Sequence, residues 1–140
     1  MNKKQLKIIK SEVDSIDLTK LSELSTVDGP DFSKAGIEVY KFYAYLSTLV
    51  DNALIMEIGT RYGKSALALS FNPKNKVISY DILEQGASQI VKDNLEFRIS
   101  NFMEDVTIDW NLVDILLINV DPHDGIKDRE FLTFLREKGW

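Results

Sequence analysis

The chain has 140 residues, of which 44% are apolar and 28% charged, and its formal net charge is −5. This composition is typical of one globular domain with its own core. Cysteine is absent and His123 is the only histidine, which excludes disulfides, zinc–thiolate sites, iron–sulfur clusters and cysteine nucleophiles. The negative charge argues against nucleic acid as the main partner.

The sequence also predicts no contact with a membrane. No apolar run approaches the roughly 18 to 20 residues that are needed to cross a bilayer. The amino terminus, MNKKQLKIIK, lacks the apolar stretch of a secretory signal. We therefore expect a cytoplasmic protein.

The first third of the chain predicts helices in two groups. Residues 2–24 carry apolar side chains spaced for one or two short amphipathic helices, and the breaker cluster Asp28-Gly29-Pro30-Asp31 follows. We therefore predict an N-terminal helical cap over residues 1–32 and a separate domain over residues 33–140. Between residues 34 and 50, apolar side chains recur at three- and four-residue spacing, which predicts a helix.

Residues 53–82 predict a strand, a turn, a helix and a second strand. Leu54 to Ile58 is an apolar run of buried-strand length, and Gly59 ends it with a turn. A helix is predicted over 64–71 and a strand over 76–81. So short a crossover makes the two strands parallel and the connection right-handed.

The rest of the chain predicts two further strands. Residues 84–94 have a weak helical period, and residues 97–102 predict the third strand. Residues 113–120 are apolar on both faces except for Asp114 and Asn119, as in a central parallel strand. A final helix is predicted over 126–138, with Phe131, Leu132, Phe134 and Leu135 facing inward and Asp128, Arg129 and Glu130 facing solvent.

This order of elements predicts an α/β fold, a Rossmann-like doubly wound parallel sheet with strand order 3-2-1-4. The C-terminal half of such a sheet is missing, so we expect a truncated chain. Strand 4 would be an open apolar edge. A second copy of the chain is expected to cover it, as a homo-oligomer.

The run Glu57-Ile58-Gly59-Thr60-Arg61-Tyr62-Gly63-Lys64-Ser65 is the first candidate site. Ligands of open α/β sheets bind at the carboxyl ends of the strands, where this turn lies. Glu57 stands inside an otherwise apolar strand, where an unpaired carboxylate would be costly. Asp81 ends the second strand, the position from which an acidic residue binds ribose hydroxyls.

Two other nucleotide-binding motifs fit this turn less well. A dinucleotide fingerprint needs glycine at positions 61 and 64, which hold Arg61 and Lys64, so NAD is disfavoured. A P-loop needs one more residue between Gly59 and Gly63 than the chain has, although residues 115–121 imitate the Walker B strand of P-loop proteins. A P-loop nucleotide hydrolase remains the rival interpretation.

The pattern Glu-h-Gly-Thr-x-x-Gly-x-Ser, with Asp81 beyond it, resembles motif I of class I S-adenosylmethionine-dependent methyltransferases, in particular catechol-type and cephalosporin-hydroxylase-like O-methyltransferases. The resemblance covers about residues 34–140. It implies that S-adenosylmethionine is the cofactor and that Asp81 holds its ribose hydroxyls. It also implies that Asn101 and Phe102 flank the adenine and that five motif residues surround the methionine part, namely Glu57, Gly59, Thr60, Gly63 and Ser65.

The same resemblance implies that a small-molecule acceptor binds after strand 4. Metal-dependent members bind a divalent cation there, and the candidate ligands in this chain are Asn119 and Asp121, with oxygen atoms that suit magnesium or calcium. His123 is the candidate general base. The expected activity is O-methylation of a small molecule or sugar, and the alternative is a non-catalytic or partner-completed cofactor-binding fragment.

Overall fold

The computed structural model describes residues 6–24, 32, 36–121 and 124–140. Their regular elements, in chain order, are α1 (Lys10–Asp14), α2 (Thr19–Ser22), α3 (Ile37–Thr48), β1 (Leu54–Ile58), α4 (Lys64–Leu69), β2 (Lys76–Asp81), β3 (Leu95–Ile99), β4 (Val113–Ile118) and α5 (Ile126–Glu137). Three short 3-10 helices, Ala87–Gln89, Phe102–Glu104 and Trp110–Leu112, lie in the connections.

The four strands form one parallel sheet in the order β3-β2-β1-β4. Ile58 of β1 stands beside Tyr80 of β2 and Ile118 of β4, so the carboxyl ends of the three strands lie together. The predicted fold class, a Rossmann-like doubly wound sheet, is confirmed. Its strand order places the end of β1 at the centre of the sheet's carboxyl edge.

Alternation along β1 sends its side chains to two different helical layers. Met56 and Ile58 pack on the side of α5, against Phe131 and Leu135. Ile55 packs on the opposite side, with the core that α4 helps to form. Glu57 follows the same alternation and points to the α3–α4 side.

The first two helices pack onto α3 and α4. Leu18 and Leu21 are buried with Ala44 of α3, and the phenol of Tyr45 donates a 2.8 Å hydrogen bond to Glu12. The division into a cap over 1–32 and a domain over 33–140 stays a prediction, because the breaker cluster at residues 28–31 lies outside the described residues.

Two predicted elements differ from the structure, and Leu132, which was expected to face inward on the last helix, is 60% exposed. The helical period over 84–94 yields only the 3-10 turn Ala87–Gln89, because Gly86 adopts a left-handed φ of +100° immediately before it. The third strand was predicted over 97–102 but spans Leu95–Ile99. It ends before Asn101 because that side chain caps the 3-10 helix that follows, accepting a hydrogen bond from the Met103 N–H.

The two edges of the sheet differ in chemistry. β3 carries Glu96, which accepts ion pairs from Lys76 and Arg98, and charges of this kind protect an edge from further pairing. Among the described residues β4 pairs with β1 alone. The Asn119 N–H donates to the Ile58 carbonyl and so points towards β1. Because successive backbone N–H groups along a strand point to opposite sides, those of Leu116 and Ile118 point away from β1, towards the open edge. Coverage of that edge by a second copy stays a prediction.

Candidate functional site

A cavity of about 270 Å³ opens at the carboxyl ends of β1, β2 and β3. This volume is near the lower end of the roughly 300–1,000 Å³ of small-molecule pockets. The cavity brings together four residues that the sequence predicted separately, namely Gly59, Asp81, Asn101 and Phe102. The rest of its wall comes from strand ends and from α5. The structure thus forms a concave, largely apolar site at the sheet edge that the fold reserves for ligands.

Asp81 both lines this cavity and braces the turn after β1. Its Oδ2 accepts a 2.8 Å hydrogen bond from the Arg61 N–H, and its Oδ1 accepts one of 3.2 Å from the Leu83 N–H. Arg61 has a φ of +48°, a left-handed conformation that is unusual outside glycine. Asp81 therefore holds a strained turn in place, while each carboxylate oxygen keeps a further lone pair for a ligand hydroxyl.

Gly59 is required by close approach between β1 and the end of β4. Its φ is +103°, and a Cβ at this position would overlap the carbonyl oxygen of Asn119 and stand 2.7 Å from its carbonyl carbon. The Asn119 N–H donates to the Ile58 carbonyl at 2.8 Å. The two strand ends are therefore joined directly beside the cavity, and only glycine fits between them.

The other predicted cofactor residues do not line the cavity. Glu57, Thr60, Gly63 and Ser65 are buried beneath the turn, towards α3 and α4. Gly63 has a φ of +83° and precedes α4, and a Cβ there would stand 2.9 Å from the Ile90 side chain. The predicted set therefore divides into a cavity wall and a buried support.

Glu57 is the centre of this buried support and has no exposed surface. Its Oε2 accepts a 2.6 Å hydrogen bond from the Ser79 hydroxyl, and Ser79 Oγ lies 2.6 Å from Thr60 Oγ1. Because the one hydroxyl proton of Ser79 goes to Glu57, Thr60 is the donor to Ser79. Oε1 of Glu57 is buried and has no hydrogen-bond partner within the described part of the chain.

Burial raises the pKa of Glu57 to about 7, because water no longer solvates its ionised form. The hydroxyls of Ser65 and Ser79 lower the pKa again, and the negative charge of Asp81 raises it further. Ser65 is near enough to act on the carboxyl, although Oε1 accepts no hydrogen bond of ordinary geometry. Glu57 therefore changes its charge near neutral pH.

Phe102 forms one side of the cavity from within the core. It is 3% exposed, and its ring lies 5.1 Å from that of Phe131 and 5.5 Å from that of Phe134, both in edge-to-face geometry. The Asn101 amide group donates to Glu104 at 3.1 Å. Packing thus holds the loop after β3 rigidly against α5.

A polar network holds the same loop from the outside. Arg98 donates to Tyr80 at 2.9 Å and to Asp105 at 2.8 Å, and the Tyr80 phenol donates to Asp105 at 2.7 Å. Burial and the hydrogen bond to Asp105 raise the pKa of Tyr80 to about 12. Hydrogen bonds from Thr107 and Tyr80 hold the pKa of Asp105 well below its usual range.

Sequence reasoning missed the contribution of α5 to the cavity. Lys127, Glu130 and Phe131 line it, together with Ile82 and Val120. Glu130 is exposed, as predicted, but it lies at the rim. The signal was present in the sequence, because residues 127, 130 and 131 are three and four apart and share one helical face with the inward Phe131.

The structure describes the two predicted metal ligands but not the predicted catalytic residue. Asn119 and Asp121 are exposed at the end of β4. No group of three or more His, Asp or Glu side chains within residues 6–24, 32, 36–121 and 124–140 is arranged to hold a metal ion. His123 lies outside the described residues.

The fold and the cavity together define a Rossmann-like α/β domain with a site across its strand ends. No helix in the portion of the chain that the structure describes is long and apolar enough to span a membrane.

Comparison with known proteins adds one distant likeness. No protein-family model matches the chain, and no curated protein matches it. It is similar to the crystal structure of a Plasmodium falciparum protein assigned as a protein-L-isoaspartate O-methyltransferase, in complex with S-adenosyl-L-homocysteine. The two are 12% identical, the match covers 81% of this chain and 85% of that one, and the TM-score is 0.43. A likeness this distant assigns no function, so a proposed function has to rest on the residues of this chain.

Proposed function

We propose that this chain binds S-adenosylmethionine and transfers its methyl group to an oxygen of a small molecule or sugar. One observation carries the proposal: a single cavity at the carboxyl ends of the strands joins Gly59, Asp81, Asn101 and Phe102. These residues come from three separate segments of the sequence, and the resemblance to class I methyltransferases implies that each contacts the same cofactor.

The groups on the cavity wall fit an adenosine. Asp81 offers carboxylate oxygens to the ribose hydroxyls, at the end of β2 where nucleotide folds bind a ribose. Ile58, Phe102 and Phe131 offer apolar surface to the base. A pocket that is mostly apolar, with a few oriented polar groups, is the usual form of a small-molecule site.

The methionine part of the ligand would extend from the ribose over Gly59 towards the α3–α4 side. Gly59 lines the cavity, so this path begins at the cavity wall. Glu57, Thr60 and Ser65 support the turn from below through their buried hydroxyl and carboxyl groups. In this proposal they act on the ligand through the turn.

The chain's part in the reaction is to bind and orient. S-adenosylmethionine, when bound, supplies an electrophilic methyl group. An acceptor oxygen would enter beside the loop after β4, near Asn119 and Asp121, and holding it in line at attack distance lowers the barrier. His123 is proposed to remove the acceptor's proton, and Asn119 with Asp121 are proposed to bind a magnesium ion.

Two contacts disfavour the rival P-loop interpretation. A P-loop presents its lysine and the following serine to the phosphates and magnesium. In this chain Ser65 is 5% exposed and lies beside Glu57, and the Lys64 ammonium lies 5.5 Å from the centre of the Tyr40 ring. A buried carboxylate beneath the loop would also repel phosphate groups.

Calorimetry tests the proposal with four ligands: S-adenosylmethionine, S-adenosylhomocysteine, ATP with magnesium, and NAD. We expect the two methionine nucleosides to bind and the other two not to bind. Binding of ATP with magnesium, without binding of either methionine nucleoside, would overturn the proposal in favour of a nucleotide hydrolase.

A second experiment separates an enzyme from a cofactor-binding fragment. The chain is incubated with radiolabelled S-adenosylmethionine and a panel of catechols, hydroxy acids and sugars, and transfer of label is measured. Transfer to any acceptor supports the enzyme. Tight binding of S-adenosylhomocysteine without transfer to any acceptor would support the non-catalytic alternative.

A further inference from the structure

We infer that Glu57 makes this site distinguish the positively charged sulfonium of S-adenosylmethionine from the neutral thioether of S-adenosylhomocysteine, with a preference that grows as the pH rises. The inference rests on the proposed function and adds a specificity-determining residue to it. Glu57 would act on the ligand in two ways: its charge attracts the sulfonium across a distance, and its side chain supports the turn. It is therefore a positioning residue whose effect depends on the charge of the ligand.

The geometry around Glu57 leaves a buried carboxyl without full compensation. The side chain has no exposed surface, one oxygen accepts a short hydrogen bond from Ser79, and Oε1 accepts none of ordinary geometry from the residues that the structure describes. The nearby Ser65 hydroxyl is the one further group that acts to lower the pKa of the carboxyl. An ionised carboxylate in such a place lacks the donors that would neutralise its field. The chain therefore carries an acidic group where an apolar or amide side chain would be less costly.

The groups that face Glu57 from the surrounding elements carry no compensating positive charge. The polar or ionisable groups near it are Tyr40 and Tyr43 of α3, Thr60 of the turn, Ser65 of α4, and Ser79 and Asp81 of β2. Its neighbour on β4 is the apolar Leu117. The cations of this region are Lys64, whose ammonium lies 5.5 Å from the centre of the Tyr40 ring, and Arg61, which acts to lower the pKa of Tyr40. Neither is among the groups that shift the pKa of Glu57, so a bound positive charge would be attracted to the ionised carboxyl.

Asp81 connects Glu57 electrostatically to the cavity wall. Asp81 lines the cavity, and its negative charge raises the pKa of Glu57. A positive charge bound beside the same wall would act in the opposite direction and favour the ionised carboxyl. Glu57 stands two residues before Gly59, which also lines the cavity. The sulfonium would therefore supply the compensating cation.

The effect on affinity follows from the charge state of Glu57. When Glu57 is protonated, sulfonium and thioether meet the same neutral group. When Glu57 is ionised, the sulfonium gains an attraction that the thioether lacks. The size of this preference is linked to the pKa of Glu57. If binding of the sulfonium lowers that pKa by about one, ionisation of Glu57 raises the ratio of the sulfonium affinity to the thioether affinity by about tenfold.

The test compares the dissociation constants of S-adenosylmethionine and S-adenosylhomocysteine at about pH 6, 7 and 8 for the wild-type chain and for Glu57→Gln. We expect the preference for S-adenosylmethionine to rise about threefold to tenfold over this range in the wild type. The rise should be smaller in Glu57→Gln, because titration of the ligands' own amino groups is common to both proteins. An equal rise in both proteins would overturn the inference.

A second measurement uses only the wild type, in case Glu57→Gln does not fold. The ligands are 5′-methylthioadenosine and its S-methylated sulfonium, which differ by one methyl group and one positive charge. Calorimetry at about pH 7 in two buffers of different ionisation enthalpy gives the number of protons released on binding. We expect the sulfonium to release more protons than the thioether. Equal release would contradict the role of Glu57, whereas failure of all these nucleosides to bind would overturn the proposed function itself.

Discussion

The Ser79 hydroxyl donates a 2.6 Å hydrogen bond to Oε2 of Glu57, at a position from which solvent is excluded. The neutral hydroxyls of Ser79 and Ser65 lower the pKa of Glu57, but they do not replace the hydration that an ionised carboxylate loses on burial. Burial therefore raises the pKa of Glu57 to about 7, and this couples the stability of the fold to pH.

The first prediction is that this buried carboxyl destabilises the fold as the pH rises. The pKa of Glu57 is raised from its ordinary value of 4.5 to about 7 on folding, so the folded chain holds the proton more tightly than the unfolded chain. The stability that Glu57 contributes is full below about pH 4.5 and is lost as the pH rises through about 7. The loss is on the order of 3 kcal/mol.

Urea unfolding at several pH values checks this prediction. The free energy of unfolding should depend less on pH in Glu57→Gln than in the wild type. Glu38→Gln is the matched control, since Glu38 is exposed on α3, and it should leave the pH dependence unchanged. An identical pH dependence in wild type and Glu57→Gln would show that Glu57 does not titrate in this range.

The second prediction concerns the close approach at Gly59. In Gly59→Ala the new methyl group would overlap the carbonyl oxygen of Asn119, so the ends of β1 and β4 must separate. We expect a loss of about 3 kcal/mol or more of unfolding free energy, from the left-handed backbone and the overlap together. Gly86→Ala is the control, because Gly86 has a similar φ of +100° but nothing lies within 4 Å of the place that a Cβ would take there.

Chemical denaturation of the two variants separates the two contributions. Gly86→Ala measures the cost of the left-handed backbone alone, and the additional loss in Gly59→Ala measures the overlap with Asn119. Gly86→Ala should cost only about 1–2 kcal/mol. If both substitutions cost the same, the approach of Asn119 to Gly59 would not constrain this turn.

The third prediction is that Asp81→Ala weakens binding of S-adenosylhomocysteine by about 1–3 kcal/mol, the usual effect of removing charge-assisted hydrogen bonds. The substitution also removes the acceptor for the Arg61 N–H, so the unfolding free energy should fall as well. Asp93→Ala is the control, because Asp93 lies away from the cavity. If calorimetry gives Asp81→Ala the same affinity for S-adenosylhomocysteine as the wild type, Asp81 braces the turn but does not bind the ligand.

The fourth prediction concerns the network that holds the loop after β3. Tyr80→Phe removes the phenol that joins Arg98 to Asp105, and we expect a loss of about 1–2 kcal/mol of unfolding free energy. Tyr62→Phe is the control, since Tyr62 is 42% exposed. Thermal unfolding measures both variants, and equal melting temperatures would show that the Tyr80 phenol contributes nothing to stability, since the direct ion pair of Arg98 with Asp105 is present in both.

The sequence alone determined the elements and their order. The apolar run at residues 54–58 and the turn at Gly59 predicted β1 within its observed bounds, because a buried parallel strand must be apolar on both faces. The same local signals predicted β2 and α5. They failed at residues 84–94, where Gly86 overrides a weak helical period, and at β3, whose end depends on the cap formed by Asn101.

The tertiary structure alone decided how the motif residues divide. The sequence placed Glu57, Gly59 and Asp81 in one site, but strand alternation sends Glu57 to the α3–α4 side while Asp81 faces the cavity. The tertiary structure also places Lys127 and Glu130 at the cavity rim, because packing of Phe131 on Phe102 sets the rotation of α5 about its axis. Local spacing specifies which residues share a turn or a helical face, whereas burial and contact between distant segments arise only when the sheet and helices pack together.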